Sequence, residues 1–452
     1  SKRSERATDA PATVLVIAKE DIRLRGYAFL TDVLRDLPGM ETSEYYFSEM
    51  GTLVPVRGTA GNNKIIVLVN GVRVNPPGGE SMMFRSDLSV RNAEKIEVIY
   101  GPGSTLYGQD AISAVINVQT REPKDELFAE LGATSGFPLR GEAWASFGIP
   151  FDGGSVSASI HYVYSELTDI ASAYATEWDA NYAPVIEERG GVGADPERWD
   201  MGLNALLRIE VGDSSVQVWH RQSSRSSSEG FNGNFAKIDE AVWSDLSTVV
   251  EARNRLELHD SVALESSLVF NRYEIDPDTR YVWANSPPPS WFLDDYKYGL
   301  GIGATLEEKA FIELSEDFDL LVGLVAAHYD IMPKATVPGG ADRSQDIASQ
   351  GGAFTYYETA GDPSSLRSVS RINNLSYQSF GGFVEAAFRV IEPLKLIAGV
   401  RVDGDTRFNL VPISPRVAAV WEIRKELTLK GIFTRAWVNP APYFSYNTYF
   451  NG

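Results

Sequence analysis

Residues able to perform catalysis or to bind a metal are few in this chain. Its 452 residues include no Cys and four His, which excludes disulfides, Cys-ligated zinc and Cys nucleophiles. The four His lie on separate predicted strands or turns, and none has a second His at ligand spacing. They are His161, His220, His259 and His328. No nucleophile is paired with a base. We therefore expect no resident metal, no cofactor and no enzymatic activity.

Three glycines in one short stretch raise the question of a phosphate site. Gly101, Gly103 and Gly108 follow an apolar segment, but a phosphate cradle needs a helix N-terminus directly after a strand, and a suitable acid. Pro102 and the apolar strand 114–118 do not supply these features. Turn geometry therefore explains the glycines better than nucleotide binding does.

The charge balance excludes some partners. Asp and Glu number 61 against 41 Lys and Arg, so the net charge is −20. This argues against nucleic-acid binding, which needs a cationic surface, and against docking on anionic lipid. No run of 18 apolar residues predicts a membrane helix, although a membrane β-strand needs only about 10 residues of alternating character.

Residues 10–121 have the pattern of a mixed α/β unit. A short apolar strand covers 14–17, and a helix is predicted from an Asp21 N-cap through Leu37, ended by Pro38 and Gly39. Two further strands are predicted at 65–70 and 95–100. The first ends in Asn70-Gly71, a strong hairpin signal, and resumes at Val72.

After about Glu126 the pattern changes to two-residue alternation. In 394–403, for example, aliphatic residues alternate with Lys395, Arg401 and Asp403, so the two faces meet different solvents. Short turns alternate with mostly long links (168–198, 225–245, 274–298 and 333–373), which is typical of an outer-membrane barrel. A soluble β-sandwich is the alternative, but sandwiches rarely carry four such loops.

The alternating pattern predicts thirteen strands between about Glu126 and Trp437. Bacterial barrels have even strand numbers, and two bare strand edges in lipid are costly. We therefore expect either strands beyond Gly452 or a further polypeptide to complete the wall.

Residues 11–121 resemble the plug of TonB-dependent receptors, segment by segment and in family order. The matching elements are Asp32-Val33-Leu34 with Leu37-Pro38-Gly39, Val56-Arg57-Gly58, Val67-Leu68-Val69-Asn70-Gly71-Val72, Ile96-Glu97-Val98-Ile99, Gly101-Pro102-Gly103-Ser104, Leu106-Tyr107-Gly108 and Val115-Ile116-Asn117-Val118. The resemblance implies an N-terminal extension (1–10), an α+β plug (11–121) and the first part of an antiparallel transmembrane β-barrel (122–452) in the bacterial outer membrane. The family barrel has about 22 strands.

Three departures from the family pattern stand out. Tyr100 occupies a position where Arg is usual, so one ionic contact between plug and barrel is expected to be absent. Ser113-Ala114 replaces a common Gly-Gly pair. Residues 1–10 contain no clear TonB box, which the family places upstream of the first strand.

The resemblance also implies roles for particular residues. Arg57 and Glu97 would form plug–barrel ionic contacts, or alternatively an ordinary surface pair. Two segments would point into the extracellular mouth and touch ligand: Tyr45, Tyr46 and Phe47, and Met82, Met83, Phe84 and Arg85. Aromatic anchors beside a cation suit a bulky, partly apolar ligand, whereas packing against the inner wall is the alternative. Two adjacent Met are better explained by packing than by soft-metal binding.

Acids and aromatics occur together in the long loops. These residues are Glu177, Trp178, Asp179, Glu187, Glu188, Trp291, Asp294, Asp295 and Tyr296. They are interpreted either as a gate that recognises ligand or binds calcium, or as solvated loop surface. Acidic loops argue against electrostatic attraction of a strongly anionic ligand.

The function that the resemblance implies is energy-coupled import. A scarce small-molecule chelate would bind at the mouth, with a ferric siderophore as the first expectation and cobalamin as the second. TonB, with its inner-membrane energising complex, would then act on the plug. The alternative is a TonB-receptor-like barrel that serves as a structural component of a larger outer-membrane assembly. A passive porin is disfavoured because the plug would block the lumen.

Overall fold

The computed structural model contains two packed units, a small mixed α/β unit and a large curved β-sheet. The structure describes residues 10–44, 51–123, 126–137, 139–166, 199–226, 242–276, 279–284, 292–338, 354–357, 366–369, 375–424, 427–445 and 448–449. Of the described helices, none is both long and apolar enough to cross a membrane.

The first unit, here called the plug, is built on a five-stranded sheet. The strands are β1 (Thr13–Ala18), β4 (Ile65–Val69), β5 (Val72–Arg73), β6 (Ala93–Tyr100) and β7 (Ala114–Thr120), in the order β1-β6-β7-β4-β5. Asn70 (φ 51°) and Gly71 (φ 83°) form the turn between β4 and β5, as the sequence predicts. Both residues take positive φ, as the commonest two-residue hairpin turn requires.

Helices cover the plug sheet, but they differ from the one predicted helix. The structure has α1 (Lys19–Arg25) and α2 (Leu30–Arg35), with Ala18 rather than Asp21 at the first N-cap. Gly26 ends α1 in the left-handed conformation (φ 70°), which breaks the predicted helix. The side chain of Asp32 then accepts hydrogen bonds from the backbone N–H groups of Ala28 and Phe29, both at 3.0 Å, and so caps α2.

Two shorter helical segments complete the plug. A 3-10 turn spans Asn62–Lys64, and α3 (Ser104–Tyr107) follows β6 after Pro102 and Gly103. The sequence pattern predicts turns around Gly101, Gly103 and Gly108 and does not predict α3. After α2 in the chain, β2 (Ser43–Glu44) pairs with β3 (Thr52–Leu53) in a two-stranded antiparallel sheet.

The second unit, here called the wall, is an antiparallel sheet whose continuous path contains the thirteen predicted strands. They are β8 (Phe128–Gly136), β9 (Arg140–Phe151), β10 (Gly154–Glu166), β11 (Trp199–Val211), β12 (Ser214–Ser226), β13 (Val242–His259), β14 (Val262–Ile275), β16 (Phe292–Ser315), β17 (Phe318–Pro338), β20 (Leu375–Ile391), β21 (Leu394–Asp405), β22 (Ile413–Arg424) and β23 (Leu427–Thr434). An α+β plug followed by an antiparallel barrel wall is therefore confirmed.

Shorter elements accompany the wall. β15 (Arg280–Ala284) pairs with β16, and β18 (Phe354–Tyr357) pairs with β19 (Leu366–Val369). After β23 the chain forms a helical turn, α4 (Pro442–Ser445), and a strand, β24 (Thr448–Tyr449), parallel to β17.

The wall reverses the usual placement of apolar residues. In β10, Ile160 is 51% exposed whereas the neighbouring His161 is 4% exposed. In β21, Leu396 and Val402 are exposed whereas Arg401 and Asp403 are buried. The outward face is thus apolar and the inward face polar, as in a barrel whose outer face meets lipid.

Candidate functional site at the plug and wall interface

Four charges from the plug and the wall form one buried cluster. Arg85 and Asp87 come from the plug loop between β5 and β6, and Arg221 and Asp245 come from β12 and β13. Arg85 lies 3.0 Å from Asp245, and Arg221 lies 2.6 Å from Asp87 and 2.8 Å from Asp245. Each side chain is at most 2% exposed. The alternating charges therefore join the plug to the wall in a place that water does not reach.

Polar and aromatic neighbours support this four-charge cluster. The indole N–H of Trp243 donates to Asp245 at 3.0 Å, and Arg85 donates to the hydroxyl of Ser223 at 3.3 Å. The ring of Tyr273 lies 5.8 Å from the guanidinium carbon of Arg221. Buried ions are tolerated only where such hydrogen bonds accompany the pairing.

A glycine in the wall allows the plug loop to approach closely. A Cβ on Gly202 of β11 would lie 2.7 Å from the backbone nitrogen of Asp87, a distance that no side chain could accept without movement. The hydroxyl of Ser86 donates to Asp200 at 2.5 Å, and Asn204 donates to the carbonyl of Asp87 at 2.9 Å. Gly202 therefore leaves room for the backbone of the plug loop that carries Arg85 and Asp87.

A second ionic contact lies nearer to β9. Arg91 of the plug lies 2.7 Å from Glu142, which also contacts His161 at 3.1 Å. The guanidinium carbon of Arg91 lies 4.3 Å from the Trp144 ring centre, within the range of a cation–π contact. On this same side, Leu206 and Trp219 of the wall join the apolar core of the plug.

The predicted ligand-contact residues lie in two different situations. Tyr45, Tyr46 and Phe47 fall outside the described residues. Met82 and Phe84 are 0% exposed and belong to the plug core, and Met83 packs with Trp243, Tyr273 and Ile275 of the wall. Arg85 belongs to the four-charge cluster. In this arrangement these side chains serve packing and plug–wall contact, and ligand contact by them stays a prediction.

The two residues predicted to form plug–wall ionic contacts have neighbours within the plug, and their contact with the wall stays a prediction. Arg57 is exposed, and its guanidinium carbon lies 4.7 Å from the ring centre of Tyr100. Glu97 lies 2.9 Å from Lys95 and accepts from Asn117 at 3.4 Å. These contacts stay inside the plug, and Tyr100, in place of the usual Arg, offers Arg57 an aromatic face. Within the described residues, the plug–wall ion pairs are made by Arg85, Asp87 and Arg91.

Most of the predicted loop residues lie outside the described ranges, whereas the histidines have partners in the wall. Residues 177–179, 187–188 and 291 lie outside the described ranges, as do the side-chain surroundings of 294–296. His161 faces Glu142, and His220 lies 2.8 Å from Thr248. Among the described residues, no group of three His, Asp or Glu is arranged to hold a metal ion.

On another side, a cavity of about 460 Å³ lies between parts of the plug and the wall, here called the interface cavity. The plug lines it with β5, the loop 75–79 and the residues after α3, and the wall lines it with inward residues of β13, β14, β16, β17, β20 and β21. Tyr329 and Tyr377 stack within this lining, with ring centres 5.0 Å apart.

Cations of the wall also hold the segment that precedes β1. Arg416 donates to the carbonyl of Pro11 at 2.7 Å. Lys430 donates to the carbonyls of Ala10 and Ala12 at 2.8 and 3.1 Å. Because carbonyl oxygens accept these bonds, the contact does not depend on side chains of the segment.

One carboxyl group of the plug has an unusual environment. Glu80 is 3% exposed, and its oxygens have no side-chain hydrogen-bond partner among the described residues. Burial raises the pKa of Glu80 to about 7, although the backbone N–H groups of Glu80 and Gly78 oppose that rise. The carboxyl therefore titrates near neutrality inside the plug.

Comparisons with known proteins agree with this architecture. A family model described as TonB-dependent Receptor Plug Domain matches residues 6–115, and one described as TonB dependent receptor-like, beta-barrel matches residues 144–452. The Vitamin B12 transporter BtuB of Vibrio vulnificus is 39% identical over 126 residues, which are 27% of this chain and 20% of that protein.

Solved receptors share the fold at low sequence identity. A mutant of the ferric enterobactin receptor PfeA of Pseudomonas aeruginosa superposes with a TM-score of 0.67 at 17% identity, covering 97% of this chain and 63% of that one. The siderophore receptor PirA of Acinetobacter baumannii gives 0.64 at 14% identity, covering 95% and 61%. The chain thus spans about a fifth of the length of the transporter and under two thirds of these receptors.

The structure and the family models agree on the family of this chain. The plug packs against the polar inward face of the wall, and both family models match. Since the barrel model alone covers more than half of the sequence, the chain belongs to the TonB-dependent receptor family and is a protein of the outer membrane.

Proposed function

We propose that this chain is part of a receptor that imports a scarce metal chelate across the outer membrane with energy from TonB. The observation that supports this proposal most directly is the plug seated against the inner wall by buried charges. A fastened plug prevents free diffusion, so passage needs a force that moves it. The family supplies that force through TonB.

The segment at the start of the plug is suited to transmit a pull. β1 lies at one edge of the plug sheet, with β6 as its neighbour, and Pro11 and Ala12 immediately precede it. A pull on the N-terminal side would first break the carbonyl contacts from Arg416 and Lys430 and then load β1. An edge strand has only one row of strand hydrogen bonds to lose, so the sheet would be peeled from that edge.

The ligand class that we propose is a metal chelate, either a ferric siderophore or cobalamin. The related transporter with 39% identity is named for vitamin B12, and the solved neighbours for ferric enterobactin and siderophore reception. The contact residues would include 45–47 at the mouth. Met82 to Arg85 are buried at rest, so for them we propose the alternative role, packing of the plug against the inner wall.

Uptake measurements test this proposal. Cells expressing the complete receptor would be given radiolabelled ferric enterobactin or radiolabelled cyanocobalamin, each with and without functional TonB. We expect accumulation of one of the two tracers only when TonB is present. Uptake of neither tracer, or equal uptake without TonB, would contradict the proposal.

A second measurement tests the role of the plug itself. Removal of residues 11–121 should leave an open lumen, so the plugless receptor in a planar bilayer should conduct ions. The intact receptor should conduct far less. Equal conductance would show that the plug does not close the pore.

A further inference from the structure

The plug meets the wall in two different ways. Toward β9 to β13 it is fastened by buried charges and apolar contacts. Toward β14 to β21 the interface cavity lies between parts of the two units, and the contacts beside it include uncharged ones: Asn271 donates to the carbonyl of Asn75 at 2.8 Å, and Leu106 packs with Leu321 and Phe383. The two sides would therefore resist separation unequally.

On the fastened side, separation would break pairs whose partners lie on opposite units. Arg85 and Asp87 of the plug face Asp245 and Arg221 of the wall. Pulling the loop away would leave charges of both units without these partners in a site closed to water. Such breaking of a buried pair is strongly unfavourable.

On the cavity side, the ion pairs are formed within one unit. Arg253 pairs with Glu251 at 2.7 Å, and Arg401 pairs with Asp403 at 2.8 Å, both within the wall. Within the plug, Arg73 pairs with Asp110 at 2.9 Å. Moving the plug away from this part of the wall leaves each of these pairs intact.

The cavity is also already lined for a polar solute. Its surface carries these paired charges, the stacked tyrosines and hydroxyl groups such as Thr305 and Ser267. Because positive and negative groups are paired, the lining does not favour one sign of charge. A hydrated polar chelate fits this chemistry better than an apolar solute does.

We infer that the transported solute passes along the interface cavity, between β5 of the plug and strands β14 to β21 of the wall, while the four-charge cluster holds the opposite side of the plug in place. This inference rests on the proposed import function and adds the route. The route is a widened form of an existing cavity, and the plug does not leave the barrel as a whole.

Single cysteines test the route without requiring a known ligand, because the sequence has no Cys. Thr305→Cys places a thiol on the cavity lining of β16. Ser223→Cys is the matched control, a fully buried position beside Arg85 on β12. Each full-length variant would be treated in cells with an impermeant maleimide, with and without TonB, in the presence of unlabelled ferric enterobactin and cyanocobalamin.

We expect TonB to increase the labelling of Thr305→Cys and to leave Ser223→Cys unlabelled. Labelling of both positions would mean that the plug leaves entirely, and labelling of Ser223→Cys alone would place the route on the other side. Either result, or no TonB-dependent labelling of Thr305→Cys, overturns the inference.

Paired cysteines provide a second test through uptake. A Cβ on Gly303 would lie 3.2 Å from the Cβ of Pro77, so Pro77→Cys with Gly303→Cys can form a disulfide across the cavity side after a small shift. Ser86→Cys with Asp200→Cys forms the matched link on the fastened side, where the native side chains are 2.5 Å apart.

The cavity-side disulfide should abolish uptake, and reduction should restore it. The fastened-side disulfide should leave uptake close to that of its reduced form. The reverse pattern, or loss of uptake with both disulfides, overturns the inference. If the receptor without any cross-link takes up neither tracer, the import proposal fails, whereas the labelling pattern still decides which side of the plug opens.

Discussion

The plug and the wall are built from similar residues but place them in opposite directions. All five residues of β4 in the plug are buried and apolar. In β21 of the wall, Leu396 is 42% exposed and Arg401 is 6% exposed. The alternation of residue types fixes the contrast between two faces, whereas the surrounding medium decides which face turns outward. One chain thus contains a domain with an apolar interior and a sheet with an apolar exterior.

This difference determines how the two units can hold each other. The inner face of the wall is largely polar, so hydrogen bonds and ion pairs can join it to the plug. Apolar contacts between the units occur as well. Leu206, Trp219 and Val249 reach the plug core, and further apolar clusters cross at Met83, Phe29 and Leu106. The strongest fastening should therefore be ionic and local, and substitutions should reveal it as such.

Removing the shared carboxylate of the four-charge cluster should have the largest effect. Asp245→Ala deprives both Arg85 and Arg221 of a partner in a buried site. We expect the free energy that holds the plug to the wall to fall by about 3–5 kcal/mol. Pulse proteolysis of the plug at increasing urea would measure this change as a lower urea midpoint.

An exposed ion pair of the plug provides the control. Lys19 and Glu94 are 3.9 Å apart, with side chains 33% and 54% exposed. Lys19→Ala should lower stability by less than about 1 kcal/mol, because solvent screens such a pair. Similar urea midpoints for Asp245→Ala and Lys19→Ala would refute the claim that the buried cluster is the main fastening.

The buried carboxyl of Glu80 should make plug stability depend on pH. Its pKa in the folded protein is about 7, above the ordinary value of 4.5, so the folded state binds the proton more tightly. The stabilisation is fully present below about pH 4.5 and is lost as the pH rises through about 7. This difference in pKa corresponds to about 3 kcal/mol in the free energy of unfolding of the plug.

Glu80→Gln tests this sign because the amide stays neutral at every pH. The variant should be more stable than the parent at pH 8 and similar to it at pH 4.5, as measured by urea midpoints. Other carboxyl groups affect both proteins alike, so the difference between the two curves isolates Glu80. Parallel curves across this range would exclude the predicted titration.

The sequence predicts the fold of this chain better than it predicts the contacts between the plug and the wall. The two-residue alternation is local, and each wall strand repeats it, so thirteen strands could be counted. The plug strands are also local apolar segments. The error in the first helix has a local cause, since Gly26 can adopt φ 70° and so end α1.

The interface residues are harder to predict because their pairing is not local. Arg221 and Asp245 stand at inward positions of their strands, which the alternation does indicate. However, their partners Asp87 and Arg85 lie 134 and 160 residues away in the sequence. Only the docking of the plug brings the four together. Arg57 shows the same limit, because its local motif does not predict that its guanidinium carbon lies 4.7 Å from the ring centre of Tyr100.

The smallest of the predicted stability changes comes from placing a charge on either face of the wall. It tests directly whether the apolar face points outward and the polar face inward. Leu268 of β14 is 55% exposed on the outward face, so Leu268→Arg would place a charge in lipid. We expect a loss of about 2 kcal/mol in the free energy of unfolding in bilayers, depending on the depth of the position. Thr305→Arg on β16 would place the same charge in the polar interface cavity, where paired ions already line the surface, and should cost much less. If the two variants lost equal stability, the outward face would not be the lipid face, and the contrast between the plug and the wall would need another explanation.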